Sequence, residues 1–391
     1  MRILQAHTRY RQAGGEDAVV AAEAKLLRSG GHEVARLEAR NPAGAAAAAG
    51  AMATAAWNAA AARRMTDRIV EFAPDVVHVH NTWFAMSPSV VQAAGRKGVP
   101  VVLTLHNYRL MCSNGLLFRD GRPCTDCVDS HPWHGVVHRC YRGSATASVV
   151  AATNIAVNRS RGTWRNCVDA YIAMTEAARP LFVAAGLPSD RIVVKPHFVS
   201  DPGSRRQAPS ASRTVLYVGR LEVGKGIEVL LRAWRQLGDT DLELLVIGDG
   251  PLRASLEQLA PAGVRFSGWL PREQVREHLL TARAFAFPSE WYEPFGLVVV
   301  EAMAAGLAVT GSRIGGVDEL LGTSGADQLV PPGDAEALAS SLERLREDGM
   351  ADRVGALMRR RYEERFTPAA NLPLLEGIYA SVQSGAGLSA R

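Results

Sequence analysis

Glu293-Pro294-Phe295-Gly296-Leu297-Val298-Val299-Val300-Glu301-Ala302-Met303-Ala304-Ala305-Gly306 has two readings, and the choice decides what the flanking chain builds. The β-branched run Val298–Val300 favours a strand. The Ala/Met continuation that stops at Gly306 favours a short buried helix with a glycine terminator. On a helix, Leu297 and Glu301 lie four apart on one face, and the first N–H groups, at Gly296 and Leu297, have no intrahelical partner. That end is a natural site for an anion or a hydroxyl. Two carboxylates, Glu293 and Glu301, stand eight positions apart, and Glu301 sits among apolar neighbours. A carboxylate buried there needs a cation or strong donors beside it. A core helix with a salt-bridged glutamate is the plainer alternative.

Working outward, Ala284–Phe287 and Leu307–Thr310 read as strands on either side of this segment. Upstream, Val215–Val218 runs into Gly219-Arg220-Leu221-Glu222-Val223-Gly224-Lys225-Gly226, followed by a helix to about Leu237. Leu242–Ile247 ends in Gly248-Asp249-Gly250-Pro251, and the next strand ends at Phe266-Ser267-Gly268-Trp269-Leu270. The first half alternates in the same way, with strands at residues 2–6, 34–37, 75–80, 100–105, 168–173 and 192–197. Strands alternating with helices imply parallel sheets with right-handed crossovers, whose ligands gather at the carboxyl ends of the strands. Residues 200–213 hold Asp, Pro, Gly, Ser and Arg without apolar periodicity and read as a linker. The expected domains are 1–199 and 200–391, the last helix packing back on the first domain. Residues 42–62 are mostly alanine, with little surface to pack, and read as a loosely held helix or mobile segment. Arg359-Arg360-Arg361 reads as a solvated face.

At 391 residues the chain exceeds one ordinary core. Hydrophobic content of 47% with 21% charged residues describes a globular chain. A formal net charge of +5 suits an anionic small molecule or a weak contact with acidic lipid. It gives no indication of nucleic acid. No apolar run approaches the roughly 20 residues of a bilayer span, and the N-terminus turns polar too soon for a secretory signal. A cytoplasmic location is expected; the oligomeric state is not legible.

Arg220 and Lys225 share a glycine-rich strand-to-helix turn over the carboxyl end of the second sheet. A planar guanidinium fork and a mobile ammonium both suit a diphosphate. In the first half, Gly14-Gly15 follows the first strand and opens a helix, a layout that brings backbone N–H groups to a phosphate. A tight turn is the plain alternative. His80 and His106 both stand at strand ends. Between residues 106 and 143 periodicity is lost, and Cys112, Cys124, Cys127 and Cys140 follow a C-x11-C-x2-C-x12-C spacing. Four thiolates so spaced can surround zinc, with His131, His134 or His138 able to replace one. Free or redox-active thiols and disulfides are the alternatives. The basic stretch Arg159–Arg165 reads as a solvated helix end, or as a contact for a phosphate-bearing acceptor or headgroup.

Gly-Arg-Leu…Lys-Gly, Gly-Asp-Gly and the Glu-x7-Glu pair, in this order, resemble the retaining glycosyltransferases of family 4, which have the GT-B fold. The likeness covers essentially the whole chain and is strongest in the second half. A subset of that family also resembles the cysteine-rich loop, with Cys-x-x-Asn-Gly, Phe-Arg-Asp-Gly and Cys-x-x-Cys. The resemblance implies an α/β GT-B architecture, two Rossmann-like domains with parallel sheets facing across a cleft. It implies that Arg220 and Lys225 hold the donor phosphates and that Glu301 receives the ribose hydroxyls. Glu293, with the backbone of Phe295, Gly296 and Leu297, would hold sugar hydroxyls and phosphate, and the backbone near Trp269 and Leu270 the base edge. Gly250 belongs to the same donor set, while Gly15 and His106 would close the site from the first domain. Many members carry His-Asp where this chain has His106-Asn107.

The expected activity is hexosyl transfer with retention, from a nucleoside diphosphate sugar (UDP or GDP) to a hydroxyl of a glycan, a lipid-linked glycan or a secondary metabolite. No Asp-x-Asp is placed to chelate a catalytic ion, so metal-independent catalysis is expected, with zinc only as a structural element. A sugar phosphorylase or nucleotide-sugar epimerase of the same fold, or a non-catalytic nucleotide-sugar-binding scaffold, are the rival readings. No G-x-G-x-x-G with a following acidic residue supports a dinucleotide enzyme.

Overall fold

The computed structural model describes residues 1–10 and 14–385, so Arg11–Ala13 of the first glycine-rich loop lie outside the described residues. The chain divides into two compact units. One comprises Met1–Leu117, Cys124–Pro196 and the segment from Asn371; the other comprises Phe118–Pro123 and His197–Ala370.

In the first unit, short apolar runs pair as an all-parallel sheet. Its strands are β1 (Arg2–Arg9), β2 (Glu33–Arg40), β3 (Val76–Asn81) and β4 (Val101–Thr104). After the two-residue hairpin β5 (Phe118–Arg119) and β6 (Arg122–Pro123), which is counted with the second unit, come β7 (Ala170–Ala173) and β8 (Ile192–Val194). The order is β2-β1-β3-β4-β7-β8. Every residue of β3, β4 and β7 is buried, as expected for a parallel sheet covered on both faces. The helix Pro368–Ser384 delivers Leu375, Ile378 and Tyr379 into the core formed by Ile3, Leu27, Val76, Val102, Ala170 and Ile172.

The alanine-rich segment departs from its expected looseness. It forms helices Ala45–Ala53 and Ala59–Phe72. Ala55 between them is fully buried against Trp83, Phe84, Tyr141 and Ala151. Asn58 Oδ1 accepts from the Ala61 amide at 3.0 Å, and its Nδ2 donates to the Ala85 carbonyl at 2.8 Å. The anchors come from distant aromatic residues, which local composition does not reveal. Arg159 is not a solvated helix end either: it donates to the Ser130 carbonyl at 2.7 Å and the Cys127 carbonyl at 3.2 Å, tying down the cysteine-rich loop.

The second unit repeats the plan with β9 (Thr214–Val218), β10 (Glu243–Ile247), β11 (Val264–Gly268), β12 (Ala284–Phe287), β13 (Ala308–Ser312) and β14 (Leu329–Val330). Their order is β11-β10-β9-β12-β13-β14, again all parallel. The opening segment is a helix, Leu297–Ala304, entered through Gly296 at φ 91° and followed by Gly306 at φ 66°. Only two residues pair in β14, too few to leave a sequence signal. The stretch read as a linker is bonded into this unit through Arg205, which donates to the carbonyls of Leu279, Ala282 and Ala305. Two of the three arginines are likewise engaged, while Arg360 is exposed as expected: Arg359 pairs with Asp201, and Arg361 donates to the carbonyls of Glu319 and Leu320.

Candidate active site

Three turns at the carboxyl ends of β9, β12 and β13 are backbone-packed against one another. Gly226 has φ 71°, and a Cβ there would fall 1.7 Å from the Pro288 carbonyl oxygen. The Glu290 amide donates to the Gly224 carbonyl at 2.8 Å. On the other side, the Gly316 amide donates to the Glu293 carbonyl at 3.0 Å, and a Cβ on Gly315 would fall 2.4 Å from that oxygen. The glycines are therefore needed for close approach of backbones. Tyr217 Oη, 3.3 Å from the Arg220 carbonyl and 3.5 Å from the Lys225 carbonyl, rivets the first turn to its strand.

This packing delivers Lys225 Nζ to within 2.9 Å of Glu293 Oε2 and 4.5 Å of the Trp291 ring centre. Both charged side chains are mostly buried, at 21% and 12% exposure. Arg220 is 75% exposed and pairs with Glu222 at 2.7 Å. Glu301 is not enclosed as its apolar neighbours suggested: it is 25% exposed and meets Arg272 Nη2 at 2.7 Å, itself 67% exposed. Arg272 comes from the start of another helix, Arg272–Thr281, so the pairing had no local signal. Phe295 is buried edge-on to His197 and Phe366. Gly296 is buried and Leu297 partly so, with the helix N-terminus beginning at Leu297. Trp269 is 71% exposed beyond β11, with Leu270 following it. Gly250 faces backbone: a Cβ there would lie 2.4 Å from the Leu221 carbonyl oxygen. It locks the turn after β10 to the turn after β9.

The Asp-x-Asp at Asp239–Asp241 precedes β10 and so lies at the opposite end of the sheet from these turns. Its Asp241 is occupied by Arg346 at 2.9 Å.

The first unit has its own cluster at the carboxyl ends of β1, β3 and β4. Gly15 begins the helix Gly15–Ser29. Asp17 in its first turn accepts from the Gly14 amide at 3.0 Å and lies 2.8 Å from His7 Nε2. Glu16 accepts from Tyr10 Oη at 2.9 Å, and burial, reinforced by the Asp17 charge, pushes its carboxyl up to about 8. His106 lies beside a cavity of about 50 Å³ lined also by His80, Asn81, Trp83 and Arg109. Its Nε2 is 3.1 Å from His80 Nδ1. Behind His80 sits Glu23, fully buried, which sequence reading missed. Its position seven residues after Glu16, on the inward face of one helix, was the available clue.

Cys112 and Cys127 are buried, Cys124 and Cys140 partly so, and all four are unbridged. Burial, reinforced by Cys112, Cys140 and Cys124, pushes the Cys127 thiol up to about 12. Among the described residues, the group whose metal-type ligand atoms all lie within 4.8 Å of one another is a different one: Glu23, His78 and His80.

Comparison with known proteins fits this architecture. Residues 9–197 match the glycosyl transferase 4-like domain, and residues 212–348 match glycosyl transferases group 1. The chain is 29% identical over 275 residues to TuaC of Bacillus subtilis, a glycosyltransferase named for teichuronic acid biosynthesis; the match covers 69% of this chain and 61% of that protein. It is 27% identical over 308 residues to the 2-deoxystreptamine glucosyltransferase of Streptomyces kanamyceticus, covering 75% and 73%. Among solved structures, the sucrose-phosphate synthase of Thermosynechococcus elongatus superposes with a TM-score of 0.70 at 18% identity, over 98% of this chain and 99% of that one. Anabaena HepE in complex with UDP gives 0.67 at 18% identity, over 97% and 100%. The fold is thus GT-B, and each half of the chain matches a glycosyl transferase domain model.

Proposed function

We propose that the protein is a retaining glycosyltransferase that takes a hexose from a UDP- or GDP-sugar and transfers it to a hydroxyl of a glycan, a lipid-linked glycan or a secondary metabolite. The observation that carries this is the Lys225–Glu293 pair, held at the carboxyl end of the second sheet, with Arg220 exposed on the same turn as Lys225. The UDP and UDP-glucose bound to the similarly folded HepE support a nucleotide-sugar donor.

Cleavage of the anomeric C–O bond leaves negative charge on the diphosphate and oxocarbenium character on the sugar. Lys225 and Arg220 stabilise the first, more in the transition state than in the ground state, without a catalytic metal ion. The N–H groups opening the helix Leu297–Ala304 add fixed donors for the same charge. Glu293 then orients sugar hydroxyls, and Glu301 leaves Arg272 to accept from the ribose. Trp269 and Leu270 border the base, and Gly250 fixes the turn beneath it. In the first unit Gly15 and His106 serve the acceptor and the transferred sugar. Attack is on the same face as departure, with no double-displacement nucleophile assigned.

Cys112, Cys124, Cys127 and Cys140 are assigned to a structural zinc ion, supported by four unbridged cysteines at this spacing within a loop of little regular structure. Bound zinc would hold the thiolates together and order the loop. Stoichiometric zinc in purified protein, lost with Cys124→Ser, is expected; metal-free folded protein with four freely titrating thiols would contradict the assignment.

A thermal-shift screen of UDP-, GDP- and dTDP-sugars tests the donor, since a ligand at 100 times its Kd adds about 2.7 kcal/mol of stability. Release of nucleoside diphosphate that depends on a hydroxyl acceptor is expected. Release that depends on phosphate or water instead would point to a phosphorylase or an epimerase, and binding without turnover to a scaffold.

A further inference from the structure

Four groups that the proposed reaction does not touch meet inside the first unit. Glu23 Oε1 lies 3.0 Å from His78 Nδ1, 3.3 Å from His80 Nε2 and 3.3 Å from Gln5 Nε2. Its other oxygen lies 3.8 Å from Lys195 Nζ, which also donates to Asn371 Oδ1 at 2.8 Å. Glu23, His78, His80 and Lys195 are each at most 4% exposed. A carboxylate so enclosed persists only because cations and donors surround it.

The same atoms could be taken for a metal site. Lys195 already supplies a positive charge to the carboxylate. Both nitrogens of His78 are also engaged, Nδ1 with Tyr379 Oη at 2.7 Å and Nε2 with Thr104 Oγ1 at 2.8 Å. Proton placement fits this arrangement better than ligation does.

We propose that Glu23 is a positioning residue that decides, through His80, which ring nitrogen of His106 carries its proton. A carboxylate offers only lone pairs, so the His80 nitrogen facing it, Nε2, must carry hydrogen. That N–H lies 3.3 Å from the carboxylate oxygen, though off the line of a straight hydrogen bond. Burial, reinforced by the His78 charge, holds His80 down to about 4, so it is neutral with a single proton. Its Nδ1 is therefore an acceptor, and the atom it faces at 3.1 Å, His106 Nε2, must donate. A neutral His106 is then left with Nδ1 as its acceptor. In that state it takes a hydrogen bond from a hydroxyl and cannot give one through Nδ1. This consequence rests on the reading that His106 contacts the transferred sugar; the proton placement itself does not.

The test is nitrogen NMR of protein labelled in the histidine rings, with His106→Asn and His80→Asn spectra to assign the signals. Wild-type protein near pH 7 should show both rings neutral and protonated on Nε2. In Glu23→Gln the carboxamide can donate, so His80 should carry its proton on Nδ1 and His106 should switch to the Nδ1–H form. Wild-type His106 protonated on Nδ1 would overturn the proposal, as would a folded Glu23→Gln protein whose His106 signal is unchanged. If Glu23→Gln does not fold, the wild-type tautomers alone decide. Nucleotide-sugar binding, followed separately by thermal shift, tests the proposed function: its absence with the expected tautomers would reject the glycosyl-donor reading and leave the relay standing.

Discussion

Lys225 and Glu293, 68 residues apart in the chain, meet at 2.9 Å because Gly226 lets its turn lie against the Pro288 carbonyl. The pair is mostly buried, so each charge stands unpaired when the other is removed. Lys225→Ala should lower kcat by about 10²- to 10³-fold, or roughly 2.7–4 kcal/mol of barrier, the cost of losing one preorganised charge donor. Glu293→Gln should keep affinity for the free nucleoside diphosphate while losing turnover. Steady-state kinetics beside titration with UDP or GDP separates the two, and equal loss of diphosphate binding in both variants would count against the division of roles.

Gly226→Ala should be far more damaging than its size suggests. The new Cβ would fall 1.7 Å from a backbone oxygen, at a φ of 71°. Gly98→Ala is the control, with φ 68° and open space around it; only the backbone term, about 1–2 kcal/mol, should appear. Thermal denaturation should rank Gly226→Ala below Gly98→Ala, with nucleotide binding lost only in the former.

Arg272→Ala should cost less than about 1 kcal/mol of stability, because the pair with Glu301 is largely solvated. It should leave donor affinity equal or higher, since Glu301 no longer has a partner to release. Glu301→Ala should weaken binding by about 1.5–3 kcal/mol, the worth of hydrogen bonds to a charged group. Calorimetric titration of both variants checks this, and a large affinity loss in Arg272→Ala would tie that arginine to the donor itself.

Glu16 sets a pH dependence in the first unit. Burial raises its folded-state carboxyl from the usual 4.5 to about 8. A raised pKa means the folded state binds more protons than the unfolded one between those values. The contribution is complete below about pH 4.5 and is lost as pH rises through 8. Glu16→Gln should therefore be more stable than wild type at pH 8–9, and the difference should shrink toward pH 5. Urea denaturation across that range measures it; parallel curves would reject the shifted carboxyl.

The parallel sheets were legible because β3, β4, β9 and β12 are short apolar runs set between helical segments, and because Gly219–Gly226 and Glu293–Gly306 carry their turn chemistry locally. Contacts between distant side chains were not. Glu301 shows nothing in its own neighbourhood of the exposed Arg272 on another helix. Arg159, Arg205 and Arg361 all looked solvated or unplaced, yet each donates to carbonyls tens of residues away or more. Glu23 was hidden for the opposite reason. A lone acid in an apolar helix face reads as an error in the pattern until the strands bring His78, His80 and Lys195 to it.

A crystal structure with a nucleoside diphosphate sugar bound tests the central claim most directly. The diphosphate should lie against Lys225 and Arg220, with the ribose on Glu301 and Arg272 turned away. A saturated crystal with that carrier bound elsewhere, and Glu301 still paired with Arg272, would contradict it.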